Sequence, residues 1–197
     1  MTDNRFVIGD IAVSMLYDRG PLASVWPLRD VFPAVPEERW EPHRRRHSRC
    51  FPTPAEWSSG MNVALVRTPR RVILVDAGDG PPTGGDPPRE RGQLLIALRA
   101  HGLQPDDVDL VVLTHLHPDH IGWAATEGEP TFPRARYLLH DAEWGFIQRP
   151  DVRADYAAHH FDVAAAVAPL AERGALDLMS GEAKVTDEMT AVPTPGH

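Results

Sequence analysis

Between Val108 and Trp123 the chain reads VDLVVLTHLHPDHIGW. An unbroken apolar run rich in valine and leucine is the pattern of a strand buried on both faces, and it becomes polar abruptly at Thr114. Three histidines and an aspartate then crowd into the next six residues. In an extended segment side chains two apart point the same way, so His115 and His117 share one face while Leu116 turns to the core. Pro118 cannot continue a ladder and ends the strand. Asp119 and His120 then sit on a turning backbone and can point to another side. The pattern offers two imidazoles to one metal ion, and a carboxylate with an imidazole to a second. Imidazole and carboxylate without thiolate suit Zn²⁺, with Mn²⁺, Fe²⁺ or Co²⁺ as alternatives. The cluster lies just past the carboxyl end of its strand, where α/β proteins place ligands.

The rest of the chain reads as an α/β protein in which helices cover the outer faces of sheets. RFVIGDIAVSMLYD reads as a short hairpin around Gly9-Asp10. Residues 20–59 are Pro-rich, carry Trp26, Trp40 and Trp57, and read as an irregular segment with a short helix near Glu37. We divide the chain into that N-terminal part, 1–59, packed on a body formed by 60–197. Strands are expected at Met61 to Thr68 and Arg71 to Gly78, followed by a loop, GDGPPTGGDPPRERG. QLLIALRAHG reads as a helix ending at Gly102, where a left-handed cap suits glycine. ARYLLH is a strand, and DAEWGFI starts a helix with Asp141 as N-cap. DYAAHHFDVAAAVAPLAERG reads as one longer helix broken or kinked at Pro169. ALDLM and EMTAVPT are short strands.

Composition excludes several roles. No apolar run approaches the roughly 18 residues that a membrane span requires, and MTDNRFVIGD lacks the features of a secretory signal. The single cysteine, Cys50, forbids an internal disulfide and suits a reducing compartment, so the expected location is the cytoplasm. A net charge of −8 argues against nucleic acid as a partner. The basic run HRRRHSR, His43 to Arg49, reads as a solvated segment. His101 reads as a helix-end cation, and His43, His47, His159 and His160 as ordinary structural histidines. The expected partner is a small-molecule substrate, and a homodimer is compatible with the sequence.

HLHPDH matches the HxHxDH signature of the metallo-β-lactamase-fold hydrolases. ILVDAG resembles that superfamily's early Asp motif, and PTPGH the loop carrying its next metal histidine. LVRTPRRVILVDAGDG, DVDLVVLTHLHPDHIGW, PTFPRARYLLHDAEW and VPTPGH together resemble the branch containing methyl parathion hydrolase-like and quorum-quenching lactonase-like enzymes. The resemblance covers roughly residues 60–197 and implies an αββα sandwich, of which this chain would be the N-terminal portion. It implies that His115, His117 and His197 bind a first metal, and Asp119 and His120 a second. Asp76 would support the site without being a principal ligand. Ala77 stands where many members have Thr, which removes a hydroxyl beside the site. The bridging Asp and last His of the family have no counterpart here, so a truncated chain is expected.

The resemblance further implies a metal-bound hydroxide attacking an ester, lactone, amide or phosphotriester, with Asp119 passing the proton to the leaving group. No GxSxG nucleophile elbow competes. A diiron oxygen- or NO-reducing member would carry a carboxylate at the place of His117. A nucleic-acid-processing member would bring a further domain and a basic surface. The remaining alternative is an inactive metal-binding fragment, or a half-domain that needs a partner.

Overall fold

The computed structural model of the protein describes residues 5–81, 92–158 and 162–196. In chain order the strands are β1 (Arg5–Ile8), β2 (Ile11–Pro27), β3 (Glu56–Arg67), β4 (Val72–Val75), β5 (Leu110–Leu113), β6 (Ala125–Thr126), β7 (Glu129–Pro130), β8 (Arg136–His140), β9 (Leu176–Met179), β10 (Ala183–Lys184) and β11 (Thr190–Ala191). The helices are α1 (Leu28–Val31), α2 (Glu41–Arg46), α3 (Leu94–Ala100), α4 (Pro118–Ile121), α5 (Asp141–Ile147), α6 (Pro150–Ala158) and α7 (Val163–Glu172). Seven strands form one mixed sheet in the order β1-β2-β3-β4-β5-β8-β9. The first four pair antiparallel, and β4, β5, β8 and β9 run parallel. Their carboxyl ends therefore share one edge of the sheet.

Two-residue periodicity sorts each strand between the faces. Leu65, Leu74, Val111, Leu113 and Tyr137 join Leu94, Leu98, Ile121, Ile147, Val163 and Leu170 in the main core, so α3, α4, α5 and α7 cover one face. Val66, Ile73 and Val112 form a smaller cluster on the other face, against Val185 and Met189 beside the β10–β11 hairpin. The architecture is a mixed α/β layer with a multi-stranded sheet, the class expected of part of an αββα sandwich.

Three local expectations need correction. Residues 20–59 are less irregular than their prolines suggest: β2 runs to Pro27 and β3 begins at Glu56, and the two remain paired through Trp26 and Trp57. Only the segment between them is irregular, with short helices. Pairing to a distant strand overrides weak local strand signals here. The expected longer helix is two helices, α6 and α7, because the Asp162 carboxylate accepts from the Ala165 amide and caps a new one. The N-cap of α5 is His140, whose Nδ1 accepts from the Ala142 amide, and Asp141 is the first helical residue. Gly102 does take the left-handed conformation, at φ 73°. Most of GDGPPTGGDPPRERG lies outside the described residues, as do His159 and His160.

The antiparallel register has a consequence for the site. β4 ends at Val75, opposite Ala64. The first half of β3 continues past that point paired with β2 alone, to Pro27 opposite Glu56. A two-stranded ribbon thus extends beyond the edge that carries the parallel strands' carboxyl ends.

Candidate metal centre

β5 delivers the histidine cluster to that edge. Leu116 is buried among the core residues, which turns His115 and His117 away from it on either side. Their rings meet edge to face, with His115 Nε2 3.0 Å from His117 Nδ1. Pro118 then starts α4, with His117 as its extended N-cap. Buried Ile121 anchors this short helix, so Asp119 and His120 lie on its outer side. The His120 ring packs 4.0 Å from that of His115, centroid to centroid. His120 Nε2 lies 3.5 Å from Asp119 Oδ2.

Asp76 ties this cluster to the neighbouring strand. It follows β4 directly and lies in the left-handed region, at φ 68°, which is uncommon outside glycine and characteristic of functional turns. Its amide donates to the Val112 carbonyl, 2.8 Å away. Its Oδ1 accepts from the Thr114 amide and hydroxyl, both at 2.8 Å, while His120 Nδ1 donates to Oδ2 at 2.7 Å. Burial pulls the His120 pKa down, but the hydrogen bond and charge of Asp76, helped by the charge of Asp119, outweigh it and leave the pKa raised. Thr114 Oγ1 also lies 3.0 Å from His115 Nδ1. With the threonine proton given to Asp76, His115 donates from Nδ1 and keeps its lone pair on Nε2.

The loop after β4 and the turn after α4 are stitched together. Ala77 donates to the His120 carbonyl, Trp123 to the Ala77 carbonyl and Gly122 to the Gly78 carbonyl, at 2.7, 2.8 and 2.7 Å. A Cβ on Gly122 would overlap the backbone of Asp79 and Gly80, so only glycine permits this crossing. Ala77 is buried in the stitch, and the hydroxyl that reaches Asp76 comes from Thr114.

Two contributors escaped the sequence reading. Glu143 on α5 accepts from the Leu116 amide at 3.3 Å, between the two histidines. Asp18 on β2 is fully buried, and its carboxylate accepts from the amides of Asp79 and Leu94 and from the indole of Trp123. A usable signal for Asp18 was its parity: Ser14, Leu16 and Asp18 all fall on the buried face of one strand.

Residues 60–197 match the family described as the Metallo-beta-lactamase superfamily. The chain belongs to this superfamily. The mouse protein named Metallo-beta-lactamase domain-containing protein 1 is 51% identical over 83 residues, 42% of this chain and 27% of the mouse protein. Its human namesake is 49% identical over 65 residues, 33% of this chain and 21% of that protein. Among solved structures, the hydrolase AbOPH of the beta-lactamase superfamily superposes with a TM-score of 0.72 at 23% identity, over 90% of this chain and 60% of its own. AidC, a dizinc quorum-quenching lactonase, does so with 0.68 at 20% identity and the same coverages. The chain thus spans about a quarter of the mammalian relatives it matches and 60% of these two solved structures.

Set against that family, the structure brings together His115, His117, Asp119, His120 and Asp76, while His197 lies outside the described residues. Among the described residues no three His, Cys, Asp or Glu side chains are arranged as a closed metal cage. His115 and His117 close on each other through a hydrogen bond, as two ring nitrogens do when one shared proton joins them. The donor set still fits a divalent ion in kind. His115 and His117 would hold such an ion, and His120, held at Nδ1 by the Asp76 carboxylate, would offer Nε2, the arrangement usual for metal-binding histidines.

Proposed function

We propose that the protein is a metal-dependent hydrolase acting on an ester, lactone or phosphotriester, with two divalent ions, Zn²⁺ first among them. The observation that carries this reading is the pairing of His115 Nε2 with His117 Nδ1 beside a His120 oriented by Asp76, in a metallo-β-lactamase chain. His115 and His117, with His197, would hold one ion, and Asp119 and His120 the other. Bound ions supply Lewis-acid polarisation of the substrate and lower the pKa of water towards 7. Asp76 keeps the proton of His120 on Nδ1, leaving Nε2 free of it. Asp119, beside that nitrogen, accepts a proton at its carboxylate and returns it to the leaving group. Leu116 and Ile121 exclude water beneath the cluster. That the structural neighbours include a hydrolase and a quorum-quenching lactonase supports hydrolysis as the reaction class.

The test is hydrolysis of an activated aryl ester and of a lactone before and after chelation, with Zn²⁺, Co²⁺ or Mn²⁺ restored. Activity should vanish with chelator and return with metal. His117→Ala should lower turnover by at least about 100-fold, whereas His101→Ala at the end of α3 should leave it within about twofold. Equal losses in both variants, or activity indifferent to chelator, would remove the reading.

A further inference from the structure

Asp18 has no role in the chemistry above, yet it is fully buried and its carboxylate accepts three hydrogen bonds from three separate segments. It stands at a bulge in β2, where Tyr17 pairs with Asn62 and Arg19 with the adjacent Met61. Bulges next to functional sites re-aim side chains. Oδ2 accepts from the Asp79 amide at 2.6 Å. Oδ1 accepts from the Leu94 amide at 2.7 Å, at the start of α3, and from Trp123 Nε1 at 2.9 Å. Glycine makes room on two sides: a Cβ on Gly78 would come 2.6 Å from Oδ2, and one on Gly92 2.7 Å from Oδ1. Next to it Arg19 forms an ion pair with the Asp79 carboxylate.

Burying a carboxylate is unfavourable unless its bonds are made, and burial here pushes the Asp18 pKa up against those three donors. Packing alone would be better served by an apolar residue on this face. What the bonds do is hold the loop after β4 and Trp123 from behind. These are the two strands of the backbone stitch that carries the His120 carbonyl and leads to Asp76. We infer that Asp18 is a positioning residue for His120, acting through the Asp79 amide and the 77–79 loop. As far as it concerns metal, this rests on the proposed function.

Asp18→Asn tests it in the full chain. The amide keeps the shape and one carbonyl oxygen, so it can serve Leu94 and Trp123 while turning an N–H towards the Asp79 N–H. In metal-free protein, amide exchange at Ala77, Gly122 and Trp123 should accelerate by about tenfold or more, with Val111 and Leu113 of β5 unchanged. Uniform acceleration, or none, overturns the proposal. Trp123→Phe, which removes a single bond, serves as the milder variant if Asp18→Asn does not fold, with the same pattern expected at Ala77 and Gly122. The second measurement is Co²⁺ affinity. Asp18→Asn should weaken binding about tenfold in the otherwise unaltered chain, and by less than about twofold in a His120→Ala background. Equal losses in both backgrounds would make Asp18 merely structural and overturn the inference. If the unaltered chain binds no Co²⁺ while the exchange pattern appears, the metal reading falls and the positioning of His120 stands.

Discussion

At the scale of single residues, His120 carries the most distinctive electrostatics of the site. Its ordinary pKa of 6.5 is raised, because the hydrogen bond from Nδ1 to Asp76 and the nearby Asp119 charge outweigh partial burial. A histidine with a higher pKa folded than unfolded stabilises the fold in full below the unfolded value. That contribution is lost as pH rises through the folded value. The melting temperature of metal-free protein should therefore decline as pH rises from 6.5 through the raised pKa of His120. Asp76→Asn should flatten the decline over that window. Divalent metal should act in the opposite sense, binding more tightly as pH rises, because it needs the unprotonated Nε2. A melting temperature that rises across the window in metal-free protein would contradict the assignment.

At the scale of elements, the site depends on how closely the loop after β4 crosses the turn after α4. Gly122 has an ordinary helical backbone, at φ −58°, so its glycine is required by proximity and not by conformation. Gly122→Ala should cost more than about 2 kcal/mol in urea unfolding, since backbone on both sides must move. Gly145 is the internal comparison: it lies within α5, and a Cβ there meets nothing within 4 Å. Gly145→Ala should be neutral or stabilise by up to about 1 kcal/mol, through helix propensity alone. Similar losses in both variants would show that the crossing is not tight.

At the scale of the molecule, the sheet has unequal edges and faces. Among the described residues β1 pairs only with β2 and forms one edge, and its Phe6, Val7 and Ile8 side chains are 60, 63 and 69% exposed. An exposed apolar edge strand is a template for pairing with another chain. Val7→Lys should reduce concentration-dependent association seen by light scattering. Its effect on folding stability should stay within about 0.5 kcal/mol, as for most surface changes. Unchanged association would show that this edge is not the contact. No described helix is long and apolar enough to cross a membrane.

What the sequence determined by itself is whatever follows from neighbours along the chain. The valine and leucine run of β5, the alternation that buries Leu116 between two histidines, the stop at Pro118 and the left-handed Gly102 all follow from backbone sterics and a two-residue period. The superfamily signature is equally local, being six consecutive residues. Tertiary structure alone decided the contacts that hold those residues still. Asp18 meets partners 61, 76 and 105 positions away, and Asp76 meets His120 across 44. It also decided that β2 and β3 persist through the Pro- and Trp-rich stretch, because the hydrogen bonds that make a strand belong to its partner. Capping was settled in the same way: His140 could displace Asp141 as the cap of α5 only once the end of β8 had set where that helix begins. A carboxylate's role depends on which donors surround it, and those donors come together only when the chain folds.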